Sequence, residues 1–163
     1  MAPKHAAALT GFTAAVLLVG AANATGTVSA GPLQRGTTLV LGDPLAPTAV
    51  CTVTASRPER SITGGDVKGS ASQICSGNFV RHTVRATIDQ YRGLGVWRKK
   101  SDGPRQEVTA PDHDVWGLVR WRCAQGTGNQ RYRIKATGTV TDANGRTVTG
   151  VDYSPSERFT CPT

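Results

Sequence analysis

Phe79-Val-Arg-His-Thr-Val-Arg-Ala-Thr-Ile-Asp-Gln-Tyr91 is the stretch that decides the fold. Val80, His82, Val84, Ala86 and Ile88 form one alternating set, and Arg81, Thr83, Arg85, Thr87 and Asp89 form the other. A period of two is that of a β-strand, whose successive side chains point to opposite faces. A helix would return its apolar positions every three or four residues. One face of this strand is therefore expected in a core and the other in water. Arg131 to Thr141 repeats the pattern, with Tyr132, Ile134, Ala136 and Gly138 facing one way and Arg131, Arg133, Lys135 and Thr137 the other. Asp142-Ala-Asn-Gly145 follows it directly. Asn-Gly supplies the positive φ that a tight turn needs, so Arg146 to Tyr153 is expected to return as a hairpin partner.

Further out the signals are shorter. Thr38–Leu41, Ala49–Ala55, Gly69–Cys75, Val96–Arg98, Glu107–Thr109, Val115–Cys123 and Glu157–Cys161 are rich in β-branched and apolar residues. They are separated by Gly42-Asp-Pro44, Arg57-Pro-Glu-Arg60, Gly64-Gly65, Ser101-Asp-Gly-Pro104 and Gln125–Asn129, which are turn and loop chemistry. No helical period runs through this part of the chain. The spacing predicts an all-β fold: a single β-sandwich, immunoglobulin-like or similar, of about seven to nine short antiparallel strands, with a barrel as the alternative.

The 163 residues divide into three expected segments. Residues 1–24 read as a signal peptide: Lys4 precedes an apolar run from Ala6 to Gly20, and Ala22-Asn23-Ala24 offers small residues where a signal peptidase cuts. The run is too short to span a bilayer. Residues 25–37, rich in Gly, Thr and Ser, are expected as a flexible N-terminal arm, and residues 38–163 as the β-domain. The product is then secreted, extracellular and without a membrane span. The formal charge of +8 includes Lys4, so trimming leaves the chain strongly basic.

Cys51, Cys75, Cys123 and Cys161 all fall beyond the cut. An even count in an oxidising compartment predicts two disulfides. Of three possible connectivities, Cys51–Cys75 with Cys123–Cys161 is preferred, because each pair then closes one half of the chain. A zinc site would need Cys-x-x-Cys spacings that the sequence lacks. No cofactor or other metal is indicated, since Asp142–Gly145 lacks the glutamate that closes a calcium loop.

The functional signal is basic. Arg120 and Arg122 alternate with Trp121, and Arg131, Arg133 and Lys135 alternate with Tyr132 and Ile134. Were the two strands neighbours across the Gln125–Asn129 turn, all five cations would share one sheet face, with Lys99 and Lys100 extending it. Such a face attracts an anionic cell-wall polymer or an acidic protein. A non-enzymatic binding domain, acting as a monomer, is the expectation. Two alternatives stand beside it. The basic loop Arg98–Pro104 suits a secreted protease inhibitor. His82 or His113 with a carboxylate such as Glu107, Asp112 or Asp114 suits a small hydrolase. Trp97, Trp116 and Trp121 are expected to fill the core rather than to form a sugar platform.

In general character the chain resembles the small secreted β-proteins of actinobacteria that carry two disulfides. The residues behind the resemblance are Ala22-Asn23-Ala24, Cys75-Ser76-Gly77, Trp121-Arg-Cys123, Tyr132-Arg-Ile-Lys-Ala-Thr-Gly138, Asn144-Gly145 and the late Cys161. The resemblance implies export, β-structure and the Cys123–Cys161 pairing, and it implies no activity.

Overall fold

The long alternating strands do pair, and they form the centre of one sheet. In the computed structural model, which describes residues 26–29, 36–61, 65–123 and 128–161, β6 (Arg81–Tyr91) lies antiparallel to β10 (Asn129–Thr141) over ten successive partners, from Tyr132 opposite Gln90 to Thr141 opposite Arg81. The hairpin expected at Asp142–Gly145 brings β11 (Thr147–Tyr153) back along β10. Asp142 closes it: its Oδ1 accepts the amides of Asn144 and Arg146, and Gly145 takes a φ of +79°. β12 (Glu157–Thr160) continues along the same edge of β10 beyond β11. On the other side of β6 lie β7 (Trp97–Asp102) and β8 (Gln106–Thr109), one after the other. These six strands make sheet B.

Sheet A runs from β1 (Gly26–Ser29) through β2 (Thr37–Asp43) and β3 (Ala46–Ala55) to β5 (Asp66–Gly77). The two-residue β4 (Glu59–Arg60) also pairs with β5, beyond the end of β3. β9 (Asp114–Arg122) forms the far edge, paired with β5 over nine partners. The architecture is the expected all-β sandwich, and neither sheet closes into a barrel. Twelve strands are described, more than the seven to nine expected. The additional ones, such as β1, β4 and most of β7, have no apolar alternation of their own and form by adding backbone hydrogen bonds to a strand already in place. Thus Gly26–Ser29, inside the segment expected as a flexible arm, pairs with β2. The signal peptide expected over residues 1–24 lies outside the described residues.

The core fills the space between the sheets. Leu39, Leu41, Cys51, Val53, Val67 and Val119 from sheet A meet Val84, Ile88, Tyr132, Ile134 and Val140 from sheet B, all buried. Glycine at three inward positions lets the sheets approach. A Cβ at Gly69 would strike Ile134, one at Gly138 would strike Gln73 and Val53, and one at Gly150 would strike Leu39. Both expected disulfides form. Cys51–Cys75 joins directly opposed residues of β3 and β5. Cys123 and Cys161 follow the last residues of β9 and β12, so their bridge ties sheet A to sheet B.

Candidate functional site

The sandwich separates the five cations expected together. The chain leaves sheet A after β9 and enters sheet B at β10, so no hairpin joins the two strands. Arg120 and Arg122 stand on the outer face of sheet A, opposite Lys68 and Asp66 of β5. Arg131, Arg133 and Lys135 stand on the outer face of sheet B, on the far side of the molecule. The Gly-rich turn signal at Gln125–Asn129 is equally compatible with a hairpin within one sheet and with a crossing between two, which is why the sequence reading misplaced the pair of strands.

Sheet B nevertheless gathers a basic face of its own. Register places Thr83, Arg85, Thr87 and Asp89 of β6 opposite Thr139, Thr137, Lys135 and Arg133 of β10, all pointing outward. Between these rows and the β7–β8 edge runs an open trough of about 370 Å³. Thr83, Thr87, Thr137 and Thr139 line it with Arg85, Arg105 and Lys135, and so do Asp89, Lys99 and Asp102.

The cations of this face divide by what already holds them. Arg133 is taken: its guanidinium lies 4.2 Å from the Trp97 ring centroid and 4.0 Å from that of Tyr153, and it pairs with Asp89 at 3.3 Å. Such stacking on two rings holds a guanidinium in place. Arg131 lies over Tyr91 at 5.9 Å. Lys99 is taken too, 2.6 Å from Asp102. Asp102 also accepts the Thr87 hydroxyl at 2.8 Å. The Lys99 ammonium and, after it, the Thr87 hydroxyl hold the Asp102 carboxyl below its ordinary range against the opposing effect of burial. Arg85, Arg105 and Lys135 make no ion pair, and Thr83 and Thr137 no side-chain hydrogen bond, among the described residues. Three cations without an ion pair and two hydroxyls without a hydrogen bond thus converge on one trough, Arg85 also adding a weaker attraction on Asp102.

Arg85 and Arg105 were absent from the set expected from sequence. The signal for Arg85 was present: it belongs to the wet face of the strand that decided the fold. Arg105 lies in an irregular segment with no periodicity to reveal its direction.

The other expected sites are not assembled. Arg98 to Asp102, expected as an exposed inhibitor loop, lies in β7 and is paired with β6. Gly103 follows with its amide donating to Ala86 O, and a Cβ there would strike Leu118 O, so this segment cannot protrude into a protease cleft. His82 is fully buried, with Nε2 3.1 Å from the Asp112 carbonyl, Nδ1 without a partner and its ring edge-on to Phe79. The His113 Nδ1 lies 2.9 Å from the Cys75 carbonyl. It lines a cavity of about 470 Å³ with Asp142 and Arg146. The Asp142 carboxylate is committed to the hairpin amides and to Arg146 Nε at 2.7 Å. No histidine side chain bonds a carboxylate among the described residues. No cluster of metal-ligating side chains occurs among them either. Of the tryptophans expected in the core, only Trp121 packs there, against Tyr132. Trp97 stacks outside sheet B on Arg133, and Trp116 stands outward on β9, where alternation puts Val115, Gly117 and Val119 inward instead.

His82 gives the fold a pH signature. Burial pushes its pKa below the ordinary value, against the Asp112 carbonyl, which favours the charged ring. Below about pH 6.5 the unfolded chain therefore binds a proton that the folded ring refuses. Stability is full above that pH and falls as pH drops towards the depressed folded value. Urea midpoints measured between pH 7.5 and 5 are expected to decline in the wild type and to decline less in His82→Gln. An identical decline in both would contradict this assignment.

No protein-family model matches the chain, and no curated protein is significantly similar to it.

Proposed function

We propose that this protein is an exported, non-enzymatic binding domain that holds an anionic polymer, of the kind found in cell walls, against the outer face of sheet B. One observation carries the reading: Arg85, Arg105 and Lys135, which make no ion pair among the described residues, line an open trough beside four threonines, while the carboxylates there, Asp89 and Asp102, are already paired with Arg133 and Lys99. Cations already neutralised by carboxylates add little attraction, whereas unpaired ones release counterions when an anion binds. The trough is open at its surface rather than enclosed. That shape suits a chain passing across the face better than a small molecule sealed from water. Threonine hydroxyls donate to phosphate, sulfate or carboxylate oxygens and also accept from sugar hydroxyls. The signal-like N-terminus and the two disulfides support an extracellular setting.

Titration of the purified protein with a soluble polyanion such as heparin tests the reading. Neutralising about three charges predicts a slope of log affinity against log salt of roughly −2 to −3. Affinity that does not change between low and physiological salt would contradict it.

A further inference from the structure

The outer face of sheet A carries a second, different pattern. Asp114, Trp116, Leu118, Arg120 and Arg122 form one outward row along β9. Trp116 is 64 % exposed, Leu118 57 %, and Ile74 on the neighbouring β5 58 %. A cluster of large apolar side chains in water is unusual on a free surface, and tryptophan beside arginine is the composition that dominates protein interfaces. The charges are ordered as well. Asp114 at one end and Arg122 at the other make no ion pair among the described residues, and the exposed Arg120 makes a single one, 3.6 Å from the half-buried Asp66.

The row is self-complementary about its middle. Leu118 is central, Trp116 and Arg120 stand two residues to either side, and Asp114 and Arg122 stand four. We propose that a second copy of this chain covers this face, related by a two-fold axis that lies between the two faces and crosses β9 at Leu118. The axis runs the two β9 strands antiparallel. Leu118 then meets Leu118, Trp116 meets Arg120 of the second copy, and Asp114 meets Arg122 of the second copy, each heterotypic contact occurring twice as two-fold symmetry requires; along β5 the same axis passes Ser70 and sets Ile74 over the Asp66 position of the second copy, beside its Arg122. A wholly anionic surface would suit Arg120 and Arg122 but would repel Asp114, so the charge order favours the second copy. Strand spacing and rise give the β9–β5 patch about 300 Å² and the whole outer face of sheet A about 700 Å², so a standard interface of ~800 Å² per partner needs the second copy to cover the full width of the sheet. The proposal departs from the monomer expected from the sequence and leaves the two sheet B faces outward.

Sedimentation equilibrium of the purified protein tests it. The wild type is expected to dimerise. Asp114→Arg and Arg122→Asp are each expected to weaken dimerisation about ten-fold or more, because each sets like charges together. Mixing the two single variants, or combining both substitutions in one chain, is expected to restore it, since opposite charges then meet again. Thermal melts establish that each variant folds. A wild type that stays monomeric at high concentration, single variants that dimerise like the wild type, or a mixture that stays monomeric would each overturn the proposal. So would a monomer that co-sediments with phosphatidylglycerol vesicles, which would assign the face to a lipid surface.

Discussion

Tyr132→Ala is expected to destabilise the protein by about 3–5 kcal/mol, the cost of deleting a large aromatic side chain from a packed core. Tyr132 is fully buried on β10. Its ring lies 5.5 Å from that of Trp121, on sheet A, and 6.1 Å from that of Phe159, on β12, so it fills the corner where the two sheets meet. Its hydroxyl sits 3.5 Å from Cys161 Sγ and 3.9 Å from Cys123 Sγ, directly beneath the bridge between the sheets. Alanine would leave a cavity that the crossed-over disulfide prevents from collapsing. Urea unfolding followed by near-ultraviolet circular dichroism measures the loss. Tyr132→Phe keeps the ring and is expected to cost no more than about 1 kcal/mol, the size of one modest hydrogen bond. A Tyr132→Ala cost below 1 kcal/mol would show that this corner is not packed as described.

Removing the Cys123–Cys161 bridge by a paired substitution to alanine is expected to cost about 3–4 kcal/mol. The bridge closes a separation of 38 residues, and the loop-closure entropy it takes from the unfolded chain is of that size. Its position raises its importance. Cys51–Cys75 spans 24 residues and joins two strands already held by their own ladder, whereas Cys123–Cys161 connects strand ends in different sheets. The effect is measured as the unfolding free energy extrapolated to zero urea, with a steeper slope expected in the variant because its unfolded chain is less compact. Combined with Tyr132→Ala the two losses are expected to be non-additive, because both act on one corner. Strict additivity would place Tyr132 and the bridge in independent regions.

How much of this was legible in the sequence depended on the kind of signal. The strands β6 and β10 were readable because water on one side and core on the other impose a period of two, and the same alternation fixed which residues face outward. The hairpin at Asp142–Gly145 was readable because its backbone conformation demands particular residues. Each disulfide partner was correctly assigned from the simple expectation that bridges close halves of the chain. What was not legible was the sheet to which each strand belongs. Arg120 and Arg131 are close in sequence and lie on opposite faces of the molecule, because turn chemistry does not record whether a chain stays in a sheet or crosses to the next. The same ignorance put Trp116 in the core: an aromatic residue was weighed by its type, while its strand's parity sends it outward. Only the start of β7 was legible, in Val96–Arg98; Lys99 to Asp102 carry no strand pattern, and their pairing is imposed by β6.

The choice between the two basic faces is tested most directly by paired charge reversals on an immobilised polyanion. Arg85→Glu, Arg105→Glu and Lys135→Glu together reverse the cations of the sheet B trough that make no ion pair among the described residues, whereas Arg120→Glu with Arg122→Glu reverses two cations on the outer face of sheet A. With the protein applied below its dimerisation concentration, so that avidity does not enter, the first set is expected to abolish retention at physiological salt, and the second to leave it within about two-fold of the wild type once charge-wide attraction is screened. Retention that survives the sheet B reversals, or is lost with the sheet A reversals alone, would contradict a binding face on sheet B.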